Sequence, residues 1–374
     1  MNLPMAPTLP MAPTLPMAPT QTTLSAEEID ELQAEVRALA EQRGAVILAH
    51  NYQVPEVQDA ADYVGDSLGL SRQAASADGE LIVFCGVHFM AETASILCPE
   101  KTVLIPDLDA GCSLAASIDA EQLAAWRAEY PNGVVVMYVN TTAEVKALTD
   151  YCCTSANAVD VVRHIYETQG EETEILFGPD MWLGAYVEKE LGRRMHVWDG
   201  ECHVHAGIRP ADIEATRAAH PGADFLIHPE CGCSTSVMEY VAAGDISSEG
   251  VHMLSTGGML KFAESSDRAP APESDAQVSE PGLEHSAEQT TAGAPGKLRE
   301  AVVATETGML YPLRMAAPHI DFIPANPVAE CVYMKMITLP KLRDSLREMK
   351  YEVRVPQEIA VRARVPIDRM VAIG

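Results

Sequence analysis

At 374 residues the chain is long enough for roughly two or three domains of about 150 residues each. Hydrophobic residues make up 47% and charged residues 21%, the balance of a globular protein with ample material for a core. No run approaches the roughly 20 apolar residues of a membrane helix, so no membrane association is expected. The formal net charge is −28; Glu264 to Glu288 holds seven acids and one arginine, which leaves −22 for the remainder. A surface of that sign repels phosphate backbones and argues against nucleic acid as a partner. A small anionic substrate is still compatible, because helix N-termini or a metal can make one cleft locally positive.

In chain order, the first segment repeats Leu-Pro-Met-Ala-Pro-Thr three times, at 3–8, 9–14 and 15–20. Proline at that density forbids a helix or a central strand, so residues 1–24 are expected to form a disordered tail. It lacks the basic start and apolar stretch of a secretory leader, and a cytoplasmic protein is expected. Ser25-Ala26-Glu27-Glu28 predicts a capping box opening a helix that stops at Gly44. Short apolar runs then alternate with helical patterns. They fall at 45–49, 81–84, 102–105, 134–137, 174–177, 195–197, 224–227, 301–303 and 320–323. Such alternation predicts an α/β fold of parallel sheets covered by helices, and the unbroken apolar runs predict strands buried on both faces. Residues 264–296, rich in Ala, Pro, Ser, Gln and Glu, break the alternation and are expected to be a disordered insertion.

Nine cysteines are an odd and large number. Without an export signal, disulfides are not expected and thiols available to metal are the better reading. Cys112, Cys202 and Cys331 share a context: each follows a predicted strand by a short loop. The first two lie 90 residues apart; the next gap is 129, or 96 once the 33 residues of 264–296 are set aside. Three units of similar length, each ending in strand, loop and cysteine, predict three related α/β domains meeting at one point. A closed structural zinc site would want four ligands, usually in close pairs. An iron–sulfur cubane also usually takes four cysteines, and with three one iron keeps an open position able to act as a Lewis acid. Any one of these cysteines, taken alone, is more often a small buried residue. Cys85 and Cys98 read as core. Cys152 and Cys153 are adjacent and are expected to face different ways, and Cys231-Gly232-Cys233 is only a weak metal signal.

Ligands in open α/β sheets bind beyond the carboxyl ends of the strands. There the sequence places His50 and Tyr52, Tyr138 and Asn140, and His228 and Glu230, which together supply acids, bases and amide groups for proton transfer. The segments Gly65-Asp66-Ser67, Thr154-Ser155-Ala156-Asn157, Ser255-Thr256-Gly257-Gly258 and Thr305-Glu306-Thr307-Gly308 precede helical patterns; as helix caps they need no function, and several aimed at one cleft would bind carboxylates or a phosphate.

The motifs His50-Asn-Tyr52-Gln, Gly65-Asp-Ser67, Cys85-Gly-Val-His-Phe-Met-Ala-Glu92, Pro106-Asp-Leu-Asp-Ala-Gly-Cys112, Tyr138-Val-Asn140, Cys202-His-Val-His205, His228-Pro-Glu230-Cys, Ser255-Thr256-Gly-Gly-Met and Cys331-Val-Tyr-Met-Lys-Met follow one another in order over about residues 25–350. Together they resemble the successive signatures of the quinolinate synthase family. The resemblance implies three pseudo-symmetric, three-layer αβα domains with parallel sheets around a central cluster site. The corresponding segments are 25–112, 113–202 and 203–331, the last carrying the 264–296 insertion, with 332–374 as a C-terminal segment whose helix packs back on the body. It further implies one [4Fe-4S] cluster held by Cys112, Cys202 and Cys331 with an open iron. His50, Ser67, Tyr138, Asn140, Ser155, His228, Glu230 and Thr256 would bind substrate, with Tyr52 and His205 completing the pocket.

The family reaction condenses iminoaspartate with dihydroxyacetone phosphate to quinolinate for NAD biosynthesis, with L-aspartate oxidase as the supplier of the imine. Glu230 paired with His228 is the expected base, and Tyr52 and Tyr138 the expected proton donors. The rival readings are another three-cysteine iron–sulfur hydro-lyase and an iron–sulfur or zinc sensor. A sensor would need a DNA-binding helix pair and a basic face, which the −22 remainder does not offer. The tail, the insertion and the single cysteine near the third ligand depart from the family pattern.

Overall fold

The computed structural model describes residues 24–243, 250–266 and 299–374. The expected tail and insertion fall almost wholly outside them. The expected start of the insertion is displaced, because the helix Thr256–Ser266 continues through residues 264–266.

Among the described residues, twelve strands form three separate four-stranded sheets, all parallel. The first contains β1 (Ala45–His50), β2 (Tyr63–Gly65), β3 (Leu81–Cys85) and β4 (Thr102–Leu104) in the order β2-β1-β3-β4. The second contains β5 (Val134–Tyr138), β6 (Tyr151–Cys153), β7 (Ile175–Gly178) and β8 (His196–Val197), ordered β6-β5-β7-β8. The third contains β9 (Asp224–Ile227), β10 (Val251–Met253), β11 (Arg299–Ala304) and β12 (Ile320–Pro324), ordered β10-β9-β11-β12. One strand order recurs three times, so the α/β class with three related parallel sheets is borne out.

The central strands explain themselves. All five residues of β3 and of β5 are buried, as continuous apolar runs covered on both faces require. The sequence reading missed β2, β6 and β10. These are the same strand in each unit, an edge of three residues pairing only with the first strand. Too short to show a period, Tyr63-Val64-Gly65 is also partly exposed, so no apolar run marks it.

Helices close the layers and join the units. The first helix, Ala26–Arg43, begins in the expected capping box between Ser25 and Glu28 and ends at Gly44 with φ +61°. Such a cap contributes about 1 kcal/mol. This helix packs on Leu339–Glu348 over the first sheet. The last helix, Gln357–Ala372, lies across the first two units, against His88–Leu97 on one side and Ala143–Lys146 with β6 on the other. Asn157, the cap of Ala158–Gln169, donates to the Met370 and Ile373 carbonyls, and Arg72 of the helix Ser67–Ser76 donates to that of Val371. The end of the last helix is thereby fastened to both units, two and five residues from Ser155 and Ser67. Among the described residues, no helix is long and apolar enough to cross a membrane.

Candidate active site and metal centre

The carboxyl ends of the three sheets face one cavity. All thirteen residues expected from the sequence line it. Their arrangement follows strand position. The first strands β1, β5 and β9 deliver His50 and Tyr52, Tyr138 and Asn140, and His228 and Glu230. The edge strands β2, β6 and β10 lead to Ser67, Ser155 and Thr256, each at or within three residues of a helix start. The last strands β4, β8 and β12 lead to Cys112, Cys202 and Cys331.

The three cysteines sit in the same local structure. Each opens a short turn in which the N–H three residues on (Ala115, His205, Met334) donates to the sulfur. The N–H four residues on donates to the cysteine carbonyl in each case, from Ala116 at 3.1 Å, Ala206 at 2.8 Å and Lys335 at 3.1 Å. Neighbouring side chains bind the turns together. Ser113 Oγ lies 2.6 Å from His203 Nδ1, and the His203 ring meets Tyr333 edge-on at 6.0 Å. Burial pushes the Cys112 thiol up to about 11, the Cys331 thiol up to about 12 and the Cys202 thiol well above its ordinary range. Thiols that costly to ionise become ligands only with a cation to replace the proton, so metal uptake here releases protons.

Between the cysteines and the strand ends runs a chain of polar contacts. The Tyr52 hydroxyl is 2.6 Å from Thr305 Oγ1 and 3.3 Å from His205 Nε2, which is itself 2.9 Å from Thr305 Oγ1. His205 Nδ1 is 3.1 Å from Glu230 Oε2, whereas His228 Nδ1 is 3.9 Å from Glu230 Oε1. The nearest histidine to Glu230 is therefore His205, in the turn that Cys202 opens after the second sheet, rather than its sequence neighbour His228. Burial works against the Glu230 anion, but His205, His228 and the Tyr138 hydroxyl outweigh it and bring the carboxyl down to about 2. Burial holds the Tyr52 and Tyr138 hydroxyls well above their ordinary range, so both keep their protons.

His50 and His228 share one device. The Tyr52 N–H donates to His50 Nδ1 at 3.1 Å, and the Glu230 N–H to His228 Nδ1 at 3.4 Å. Each contact makes Nδ1 an acceptor and places the ring proton on Nε2. From His228 Nε2 that proton is offered to Ser155 Oγ, 3.1 Å away. Burial, foremost, holds both imidazoles down to about 3, so each is a neutral donor at neutral pH.

Buried atoms without a hydrogen-bond partner gather in the same place: Asn140 Oδ1, Glu230 Oε1 and His203 Nε2. Native interiors leave few such atoms, and these point to a polar ligand or metal. Among the described residues, one set brings three ligand atoms within 4.8 Å of one another, Cys202, His205 and Glu230. Asp66, Thr305 and Glu306, which the sequence places only in helix-capping segments, also belong to this neighbourhood. Asp66 caps Ser67–Ser76 and packs against Gly257, where a Cβ would stand 2.5 Å from Asp66 Oδ2.

Comparison with known proteins settles the family. The family model described as "Quinolinate synthetase A protein" matches residues 34–271 and 271–372. The chain belongs to the quinolinate synthase family. It is 51% identical to the quinolinate synthase of Thermus thermophilus over 345 residues, covering 92% of this chain and 98% of that protein. It is 52% identical to that of Mycobacterium tuberculosis over 342 residues, 91% and 88% of the two chains.

One expectation fails. Cys231 and Cys233, expected to be free thiols, are joined by a disulfide. The loop after Glu230 turns tightly enough to bring their Cα atoms to 5.1 Å, within the range of a disulfide. Cys85, Cys98, Cys152 and Cys153 are free and buried.

Proposed function

We propose that this chain catalyses the condensation of iminoaspartate with dihydroxyacetone phosphate to quinolinate, phosphate and two waters, in the cytoplasm, as a step toward NAD. The observation that carries the reading is the meeting of three equivalent cysteine turns with a closed set of proton-handling groups in one cavity. Cys112, Cys202 and Cys331 would hold one [4Fe-4S] cluster. Sulfurs around a single ion at about 2.3 Å must lie within roughly 4.6 Å of each other. The three cysteines are not among the sets of described residues that gather within 4.8 Å, which suits a wider, multi-iron group better than one ion. The N–H donors at each sulfur are of the kind that stabilise and tune cluster thiolates. When bound, such a cluster would supply one iron that carries no cysteine, a Lewis acid for a substrate oxygen or nitrogen.

The chain's own residues would do the rest. Ser67, Ser155 and Thr256, at helix starts that carry partial positive charge, bind carboxylate and phosphate oxygens. His50 and His228 offer Nε2 protons to the same anions without adding charge, and Asn140 presents its unpartnered amide oxygen. Glu230 remains ionised and, with His205 beside it, accepts the proton from the carbon acid. The buried hydroxyls of Tyr52 and Tyr138 supply protons to departing oxygens. Because nearly all these groups are buried, water is held away from an imine that it would hydrolyse. L-aspartate oxidase would supply that imine.

The test is an anaerobic assay of purified, iron-replete protein with freshly generated iminoaspartate and dihydroxyacetone phosphate. Quinolinate formed in step with phosphate release is the expected result. An iron-replete protein that forms none would refute the reading.

A further inference from the structure

One buried ion pair at the cavity has no part in the chemistry above. Lys335 and Glu306 have side chains 7% and 0% exposed, and Lys335 Nζ is 2.9 Å from Glu306 Oε1. Glu306 lies two residues beyond β11, and Lys335 lies in the short turn opened by Cys331. The pair ties together three separate segments. Glu306 Oε1 also accepts the Cys331 N–H at 3.0 Å, and Oε2 accepts the Gly308 N–H at 2.7 Å. On the other side Lys335 Nζ donates to the backbone carbonyl of Tyr52. The Tyr52 hydroxyl is held by Thr305, the residue before Glu306, so Tyr52 is gripped at its backbone by Lys335 and at its tip by the neighbour of that lysine's partner.

The second unit shows which part of this device is special. Asp180 stands two residues beyond β7, is fully buried, and accepts the backbone N–H of Cys202, as Glu306 does for Cys331. An acid that fastens the cysteine of its own unit is thus a repeated element. Among the described residues Asp180 forms no ion pair, and its Oδ2 lacks a hydrogen-bond partner. The third unit adds the cation, and the cation reaches Tyr52 of the first unit. The packing leaves no slack, because a Cβ on Gly308 would lie 2.7 Å from Glu306 Oε2, 2.8 Å from the Tyr52 oxygen and 2.9 Å from Lys335 Nζ.

We propose that Lys335 and Glu306 are positioning residues that fix Tyr52 relative to Cys331, and so align the proton donor with the metal centre. The claim rests on the roles given above to Tyr52 and Cys331. Removing either charge alone strands the other in the interior, so the informative variant is the neutral double substitution Lys335→Met, Glu306→Gln. Its amide oxygen still accepts the Cys331 N–H, while the Tyr52 carbonyl loses its donor.

Two readouts decide the matter: steady-state kinetics of iron-replete protein, and the 19F resonance of Tyr52 in protein labelled with 3-fluorotyrosine and assigned with Tyr52→Phe. The double variant is expected to keep its iron, lose at least about tenfold in kcat with KM within about threefold, and shift or broaden the Tyr52 resonance. Gly308→Ala should move the same resonance without changing any charge. Wild-type kcat together with an unmoved resonance in the double variant would overturn the proposal. A wild-type protein without iron or quinolinate formation would instead undo the proposed function. The resonance, read on the same proteins, would still decide whether the pair positions Tyr52.

Discussion

The cysteine turns and the first-strand ends occupy equivalent places in the three units, yet they have diverged to different degrees. At Cys112, Cys202 and Cys331 the residue, the N–H to sulfur contact and the turn are the same three times over. At the ends of β1, β5 and β9 the pairs are His50 with Tyr52, Tyr138 with Asn140, and His228 with Glu230. Only the histidine device recurs there, in the first and third units. A group bound on a threefold axis demands like ligands from each side, whereas an acid–base reaction demands unlike groups facing each other. Repetition is retained where convergence is the task and abandoned where chemistry is.

The largest effect that would sharpen this contrast comes from the diverged set. Glu230→Gln preserves size and removes the proton acceptor, so it should retain full iron while turnover falls about 10²- to 10⁴-fold. Full turnover by this variant would break the division of labour, since Glu230 would then be no more than a neighbour of His205.

The shared histidine device has a consequence for stability. His50 and His228 titrate at about 3 when folded, against about 6.5 when unfolded. The unfolded chain therefore binds more protons between those values. The contribution is fully present above pH 6.5 and is lost as the pH falls toward 3. Two such groups give a slope of about 2.7 kcal/mol per pH unit in the middle of that window. Denaturant titrations of cluster-free protein from pH 7.5 to 4.5 would measure it, and replacing both histidines by Asn should flatten the curve. An unchanged slope in that variant would mean that other groups carry the acid sensitivity.

The smallest effect belongs to the regions outside both sets. Removing residues 1–20 and 267–296 together should leave kcat within about twofold, because lengthening or shortening a loop changes closure entropy only slowly. Loss of iron in this deletion would tie the insertion to the meeting point of the units.

Much of this arrangement was legible in the sequence. The nine longer apolar runs predicted the nine strands that carry the sheets, and the spacing of Cys112, Cys202 and Cys331 predicted the threefold repeat. The short edge strands were not, because three residues as exposed as Tyr63-Val64-Gly65 carry neither a period nor an apolar run. Pairings across units were also hidden. Nothing in the chain order says that Glu230 stands nearer His205 than His228, or that Lys335 reaches Tyr52, 283 residues away. Local chemistry was read well; contacts set by the docking of three units were not. The Cys231–Cys233 disulfide is also a local contact, yet two cysteines one residue apart do not by themselves show whether they pair or stay free.

The most direct test of the central claim is iron content, with electron paramagnetic resonance of the reduced protein, across a set of cysteine variants prepared anaerobically. Wild type should be brown with about four irons per chain. Alanine at Cys112, Cys202 or Cys331 should abolish iron binding, whereas the Cys231→Ala, Cys233→Ala double variant should remain brown with an unchanged signal. A double variant that loses its iron, beside a Cys202→Ala protein that keeps it, would contradict the account.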